Sequence, residues 1–225
     1  MTMTLYHCMS ARSFRPLWML EELSLPYELK MLPFPPRSKA RSYLEINPLG
    51  TIPAFSDGDI RMTESAAICH FLAARHSPGQ LNVECDEVEF GPYLNFLHFG
   101  EATLTFPQTL ILRYSRFEAS ERKQPQIVDD YTQWFLSRLR TLAPRLESNE
   151  FVCARRFTAA DVSVGYALLL AQHIGLEGSF KPAVRAYWER LQSREGFQRA
   201  MAAQERAAIA QDVPTMHVAN TTGPF

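Results

Sequence analysis

The chain has 225 residues, 46% of them hydrophobic, with 23 Lys and Arg against 24 Asp and Glu for a formal net charge of -1. That balance fits a soluble globular protein able to bury a core in one large or two small domains, and it leaves no electrostatic footprint for nucleic acid or an anionic membrane. Cys8, Cys69, Cys85 and Cys153 lie too far apart for a disulfide scaffold, a zinc site or a dithiol motif, no apolar run reaches the ~18 residues of a membrane span, and the N-terminus lacks a leader pattern, so a cytoplasmic location is expected.

Residues 4–8 read as a short strand. Leu17, Leu20 and Leu23 then recur at turn spacing, in a helix stopped at Leu25-Pro26 because the residue before a proline disfavours the helical region. Tyr27, Leu29 and Met31 alternate with Glu28 and Lys30 as a second strand, and the proline-rich PFPPRS precedes a short helix near residues 39–46. In the run NPLGTIPAFSDGDIRMTESAAI, residues 47–68, Pro53 belongs at a strand entry or tight turn because it lacks an N–H and has a fixed φ. Ile52-Pro53 is a candidate cis bond. Asp57-Gly58 separates two apolar segments as a hairpin turn, and Thr63-Glu64-Ser65 opens a helix with Ala67, Ile68, Phe71 and Leu72 on one face. A helix start of this kind offers free N–H groups to an anion.

The βαβαββα order is thioredoxin-like and occupies residues 1–78. A linker over 79–87, with His76-Ser77-Pro78-Gly79 and a run of acids, leads to an all-helical domain over 88–225. Residues 90–114 form a long helix with Pro107 as a breaker, and 127–146 form a second with Arg138 and Arg140 outward. Thr158 and Asp161 have capping-box spacing, with Phe157 and Val162 as a hydrophobic staple, so the helix that follows should be deeply buried. Helices near 181–192 and 194–210 complete the bundle, and VPTMHVANTTGPF reads as a tail.

The stretch from Asn47 to Ile68 resembles the glutathione-binding half-site of the glutathione transferase family, and the capping box at Thr158 is a second point of resemblance. The resemblance, bacterial in type with partial likeness to the zeta and beta classes, implies a thioredoxin-like domain plus a helical domain. It implies an enzyme with glutathione as co-substrate and no metal, a homodimer with Arg61 and Arg75 near its face, and a detoxifying attack on small, largely apolar electrophiles. Within the same fold it leaves open glutathione-dependent isomerisation, dehalogenation or peroxide reduction, and a non-catalytic binding or regulatory module.

By that resemblance Ile52, before Pro53, pairs with the cysteinyl unit through its backbone, and Glu64-Ser65 receives the γ-glutamyl end. Lys39 takes the glycine carboxylate, with Arg37 or Arg41 as substitutes. The sulfur is met at the turn after the first strand, YHCMSARSFRP. Ser10 is the first choice there, because it precedes Arg15 by the interval of the zeta-class motif, although Ala11 and Arg12 depart from that class. Ser13 is the runner-up, because the beta-class alignment puts Arg12 where that class keeps its cysteine. Cys8 and Tyr6 are lesser candidates, and both serines also suit a plain turn and helix cap. Met9, His98 and Tyr114 are candidates for the electrophile pocket, although a lone histidine among aromatics is more often packed core. The histidines show no H-x-x-x-H spacing with carboxylates, so no metal site is expected.

Overall fold

The computed structural model describes residues 2–223; the last two residues of the expected tail lie outside the described residues. Four strands form one sheet in the order β2-β1-β3-β4. They are β1 (Met3–His7), β2 (Tyr27–Met31), β3 (Ala54–Asp57) and β4 (Ile60–Met62). The helix α1 (Phe14–Glu22) crosses over so that β1 and β2 run parallel, with Leu5 opposite Leu29. The antiparallel β3 puts Phe55 opposite Leu5 on the other side and Met62 opposite Phe55 beyond it. Alternation decides what is buried: Met3, Leu5 and His7 point inward while Thr4 and Tyr6 are half-buried. The hairpin turn falls where Asp57-Gly58 sets it, with Gly58 at φ 58°.

The helix expected over 39–46 is a 3₁₀ turn at Arg41–Glu45, and the short helix α2 (Pro36–Lys39) precedes it within the proline-rich run. Ile52-Pro53 is cis. The helix α3 (Ser65–His76) buries Ala66, Ile68, Cys69 and Leu72 against α1 and the sheet.

The helical part begins with α4 (Phe90–His98), which passes through a π-helical stretch at Phe99–Thr105 into α5 (Phe106–Leu112), then a second at Arg113–Phe117. Pro107 does not break this run, because it sits in the first turn of α5, just past the wide turn, where its missing N–H costs least. The run turns at a 3₁₀ segment, Ser120–Arg122, into α6 (Pro125–Leu139) and the short α7 (Ala143–Leu146). The central helix α8 (Ala159–His173) is buried along nearly its whole length, as its capping box suggests. Asp161 accepts the N–H of Thr158 at 2.8 Å, the N–H of Val152 at 3.0 Å and the hydroxyl of Tyr187 at 2.8 Å. That carboxylate therefore ties the entering loop, the start of α8 and α9 (Pro182–Gln192) together. The last helix, α10 (Glu195–Ala210), returns to pack on α1 and β2. One apolar core runs from Met3 and Leu5 through Trp18 to Trp188 and Phe197, so sheet and bundle are fastened face to face. Among the described residues no helix is long and apolar enough to cross a membrane.

Candidate active site

The turn from β1 into α1 and the loop before β3 together line a cleft of about 570 Å³. Ser10, Ala11 and Arg12 form one edge, and Arg37, Gly50, Thr51 and Ile52 the adjoining one. Thr51 is held by its carbonyl, which accepts the Tyr43 hydroxyl at 2.6 Å and the Asn47 amide at 2.7 Å. Those bonds fix the backbone that leads into Ile52-Pro53. Gly50 is at φ 62°, and a Cβ there would meet Cβ of Arg37 at 2.8 Å, so the loop needs glycine for both conformation and space.

Ser10 is in the left-handed region at φ 52°, a backbone strain on the order of 1 kcal/mol for a residue with a side chain. Gln204, on α10, holds it there. The Ser10 N–H donates to Gln204 Oε1 at 2.9 Å, and Gln204 Nε2 donates back to Ser10 Oγ at 3.1 Å. The same hydroxyl lies 2.7 Å from Nδ1 of His217. Ser10 and Ser13 are both buried, and Ser13 is bonded inward. His7 gives Nε2–H to Gln204 Oε1 at 2.9 Å, leaving Nδ1 to accept the Ser13 hydroxyl at 2.7 Å, while Ser13 Oγ accepts the Cys8 N–H at 3.4 Å. Burial pushes His7 down to about 4, against partial relief from its bonds to Gln204 and Ser13, so the ring is neutral. Cys8 is fully buried, and desolvation drives its thiol far above the ordinary range. It therefore carries no thiolate at neutral pH. Tyr6 packs its half-buried ring, tilted, with its centre 5.4 Å from that of Tyr43.

Under the cleft floor, Arg15 is buried and every guanidinium N–H has an acceptor. They are Ser163 O at 3.3 Å, Ser65 Oγ at 3.1 Å, Gly100 O at 3.2 Å, Thr105 Oγ1 at 2.7 Å, and the Glu101 carboxylate. Glu101 also takes Arg12 Nε at 2.5 Å, and Arg12 Nη2 reaches Thr109 at 3.1 Å. Burial alone would raise the Glu101 carboxyl, but the two cations outweigh it and hold the group below the ordinary range. Arg12 is pushed the other way, since Glu101, Tyr166 and Glu64 outweigh its desolvation. Glu64 is the exposed residue before α3, and Ser65 is its buried first residue.

The facing wall is largely apolar, built by Phe106, Leu110 and Leu112 of the long helix, Phe117, and Leu170 and Tyr166 of α8. Burial raises the Tyr166 phenol to about 12, and its hydroxyl reaches the Ser10 carbonyl at 3.4 Å. The structure thus brings Ser10 and Ile52 to one cleft and ties Ser65 to its floor through Arg15. Of the basic candidates, Arg37 lines the cleft, while Lys39 and Arg41 are exposed beyond it. None of Met9, His98 and Tyr114 lines it. Met9 is buried against Met31 and Ala208 and faces a second hollow; His98 is exposed at the end of α4; Tyr114 is half-buried beside Arg113.

Residues 9–75 match the family model for the glutathione S-transferase N-terminal domain. Glutathione S-transferase 3 of Schizosaccharomyces pombe is 31% identical over 181 residues, 75% of this chain and 74% of that protein. The chain belongs to the glutathione transferase family. A glutathione S-transferase of Arabidopsis thaliana is 29% identical over 200 residues, 84% of this chain and 90% of its own. Among solved structures, a glutathione transferase of Methylococcus capsulatus shares the fold with a TM-score of 0.81 at 24% identity, covering 90% of this chain and 98% of that one. One from Phanerochaete chrysosporium, solved in complex with oxidised glutathione, gives 0.79 at 25% identity, with 92% and 97% covered.

In this glutathione transferase, sequence reasoning missed Tyr166, which lines the cleft, and Gln204 and His217, which bond to Ser10 from the second hollow. Tyr166 gives no separate signal, because α8 reads as uniform core. Gln204 and His217 reach Ser10 from 194 and 207 residues away, where no periodicity or motif marks them. Among the described residues no group of three His, Cys, Asp or Glu side chains is gathered to hold a metal.

Proposed function

We propose that this enzyme binds glutathione along Ser10, Ile52 and the start of α3, and activates the thiol for attack on small, largely apolar electrophiles. One observation carries the reading: a single continuous cleft has the β1–α1 turn and the Thr51-Ile52 backbone on one side and Phe106, Leu110, Phe117 and Leu170 on the other. A polar peptide and an apolar partner then meet at Ser10, whose hydroxyl is the donor for the sulfur. Free glutathione has a thiol pKa of roughly 8.5, so a donor and the start of α1 are needed to favour its thiolate at neutral pH. The glutathione complex of the Phanerochaete relative supports the ligand. Glu64 and Ser65 receive the γ-glutamyl end, where the α3 N–H groups favour a carboxylate, and Arg37 suits the glycine carboxylate. Cytoplasmic detoxification by a homodimer completes the reading, and sedimentation as a monomer at micromolar concentration would remove the dimer from it.

Retention on immobilised glutathione and turnover of a generic aromatic halide test the whole. Glu64→Ala and Ser65→Ala should each weaken glutathione binding by about 1.5–3 kcal/mol, roughly ten- to hundredfold, as removal of a charge-assisted hydrogen bond does. Calorimetric titration reads this directly. Ser65 also accepts from Arg15, so melting curves of both variants accompany it. Unchanged affinity in both would remove the half-site, and a wild type that neither binds glutathione nor turns over the halide would leave a binding module.

A further inference from the structure

We propose that His217, in the C-terminal segment, is a positioning residue that takes the glutathione proton by way of Ser10. The inference rests on the reading of Ser10 as the residue that meets the sulfur. Its ground is a chain of hydrogen bonds with few choices left. The Ser10 N–H can only donate, so Gln204 Oε1 must be its acceptor, and Gln204 Nε2 must then donate to Ser10 Oγ. One lone pair of the hydroxyl is thereby used. Its own hydrogen has one partner among the described residues, Nδ1 of His217 at 2.7 Å.

The C-terminal segment that carries His217 is fastened in place. The Val218 N–H donates to the Met9 carbonyl at 3.0 Å and the Gly223 N–H to the Arg116 carbonyl at 3.0 Å, while Arg116 bonds the Ala219 carbonyl and Asn220. His217 stacks at 4.2 Å on His173 of α8. It also lines a second hollow of about 430 Å³ together with Met9, Gln204 and Glu205 of α10. The half-buried imidazole thus stands between the cleft, which it reaches only through Ser10, and a separate space from which water can reach it.

The proton step balances without any further reagent. The S–H bond of glutathione breaks as an O–H bond forms at Ser10, while the original Ser10 O–H breaks and an N–H forms at His217 Nδ1. The products are a thiolate, a Ser10 hydroxyl that donates to it, and an imidazolium. Burial lowers His217 below its ordinary value and Glu205 partly restores it, so the ring begins neutral and able to accept. The groups facing it are His173, itself held down to about 4 by burial, His217 and Arg116, and the Glu205 carboxylate. The new thiolate adds a second negative charge that favours the imidazolium.

His217→Gln tests this, because glutamine can accept the Ser10 hydrogen bond but cannot take a proton. Thiolate absorbance of bound glutathione should titrate about one pH unit higher in His217→Gln, and turnover near pH 6.5 should fall about tenfold, a unit of pKa being tenfold in ionisation. Melting temperature should stay at the wild-type value, and so should glutathione affinity measured well below the pKa of the bound thiol, where glutathione binds protonated. Wild-type titration in two buffers of different protonation enthalpy should show almost no proton released on glutathione binding at neutral pH, and that measurement needs no variant to fold. A full proton released by wild type, or a His217→Gln titration superimposed on wild type, overturns the relay while leaving glutathione binding intact. A wild type that does not bind glutathione overturns the underlying reading as well.

Discussion

Arg15 shows how much one side chain can organise. Its planar guanidinium has five N–H groups, and each meets an acceptor on the α3 start, the π-helical stretch or α8. Its face packs 4.3 Å from the centre of the Tyr166 ring. A lysine could not reproduce that fork. The negative charge that balances it comes from Glu101, which Arg12 shares. Glu101→Gln keeps the shape and removes the charge, leaving Arg15 buried without a counter-ion. Removing one partner of a buried pair costs about 3–5 kcal/mol, and since a quarter of the Glu101 side chain is exposed the loss should fall near about 3. Urea unfolding of the two proteins measures it, and a loss below the scatter of the assay would show that Arg12, Ser65 and the carbonyls hold Arg15 without Glu101.

At the scale of elements, the π-helical stretch after α4 decides how closely the long helix approaches α8. A Cβ built on Gly100 would meet the backbone and hydroxyl of Ser163 at 2.4–2.5 Å, whereas one on Gly91, in the same helix, meets nothing within 4 Å. The two alanine substitutions should therefore have opposite signs. Gly100→Ala forces α4 and α8 apart and should cost about 1–3 kcal/mol, as overpacking does. Gly91→Ala should gain about 0.5–1 kcal/mol, because glycine is the poorer helix former. Thermal unfolding compares them, and a stabilised Gly100→Ala would mean the helices can separate freely. The sequence announces neither the wide turns nor this contact, since stretches of 7 and 5 residues are too short to show a period of their own. The Thr158 capping box and the Asp57-Gly58 turn were readable because their chemistry lies within four residues. Ser10 and Ile52 were named through the family resemblance instead, and Gln204 and His217, which bond to Ser10 from 194 and 207 residues away, match no motif of either kind.

For the molecule as a whole, the contacts that cross between sheet and bundle include neutral histidines, and these make stability depend on pH. His7 sits in β1 with Nε2–H given to Gln204 of α10 and Nδ1 accepting Ser13, a pattern only the neutral ring can satisfy. Its value of about 4 lies below the ordinary 6.5. The unfolded chain therefore binds more protons than the native one between those limits, and stability must rise with pH across the window. Read downward, the contribution is complete above pH 6.5 and is lost as pH falls toward about 4. His7 alone accounts for at most about 3 kcal/mol. His173, also near 4, acts in the same sense. Asp161 opposes them, because burial lifts its carboxyl to about 6 against the bonds it accepts, and a carboxyl raised in the native state loses stability as pH rises from about 4 to 6. Below neutrality Asp161 thus works against His7 and His173, and the lowered His70, His217 and Glu101 act on the histidines' side. His7→Gln isolates one contributor: it should be less stable than wild type at pH 7.5, while the gap should narrow steadily toward pH 5. Urea titrations of both proteins at half-unit pH intervals give the two curves, and parallel curves would show that His7 is not among the groups that set acid stability.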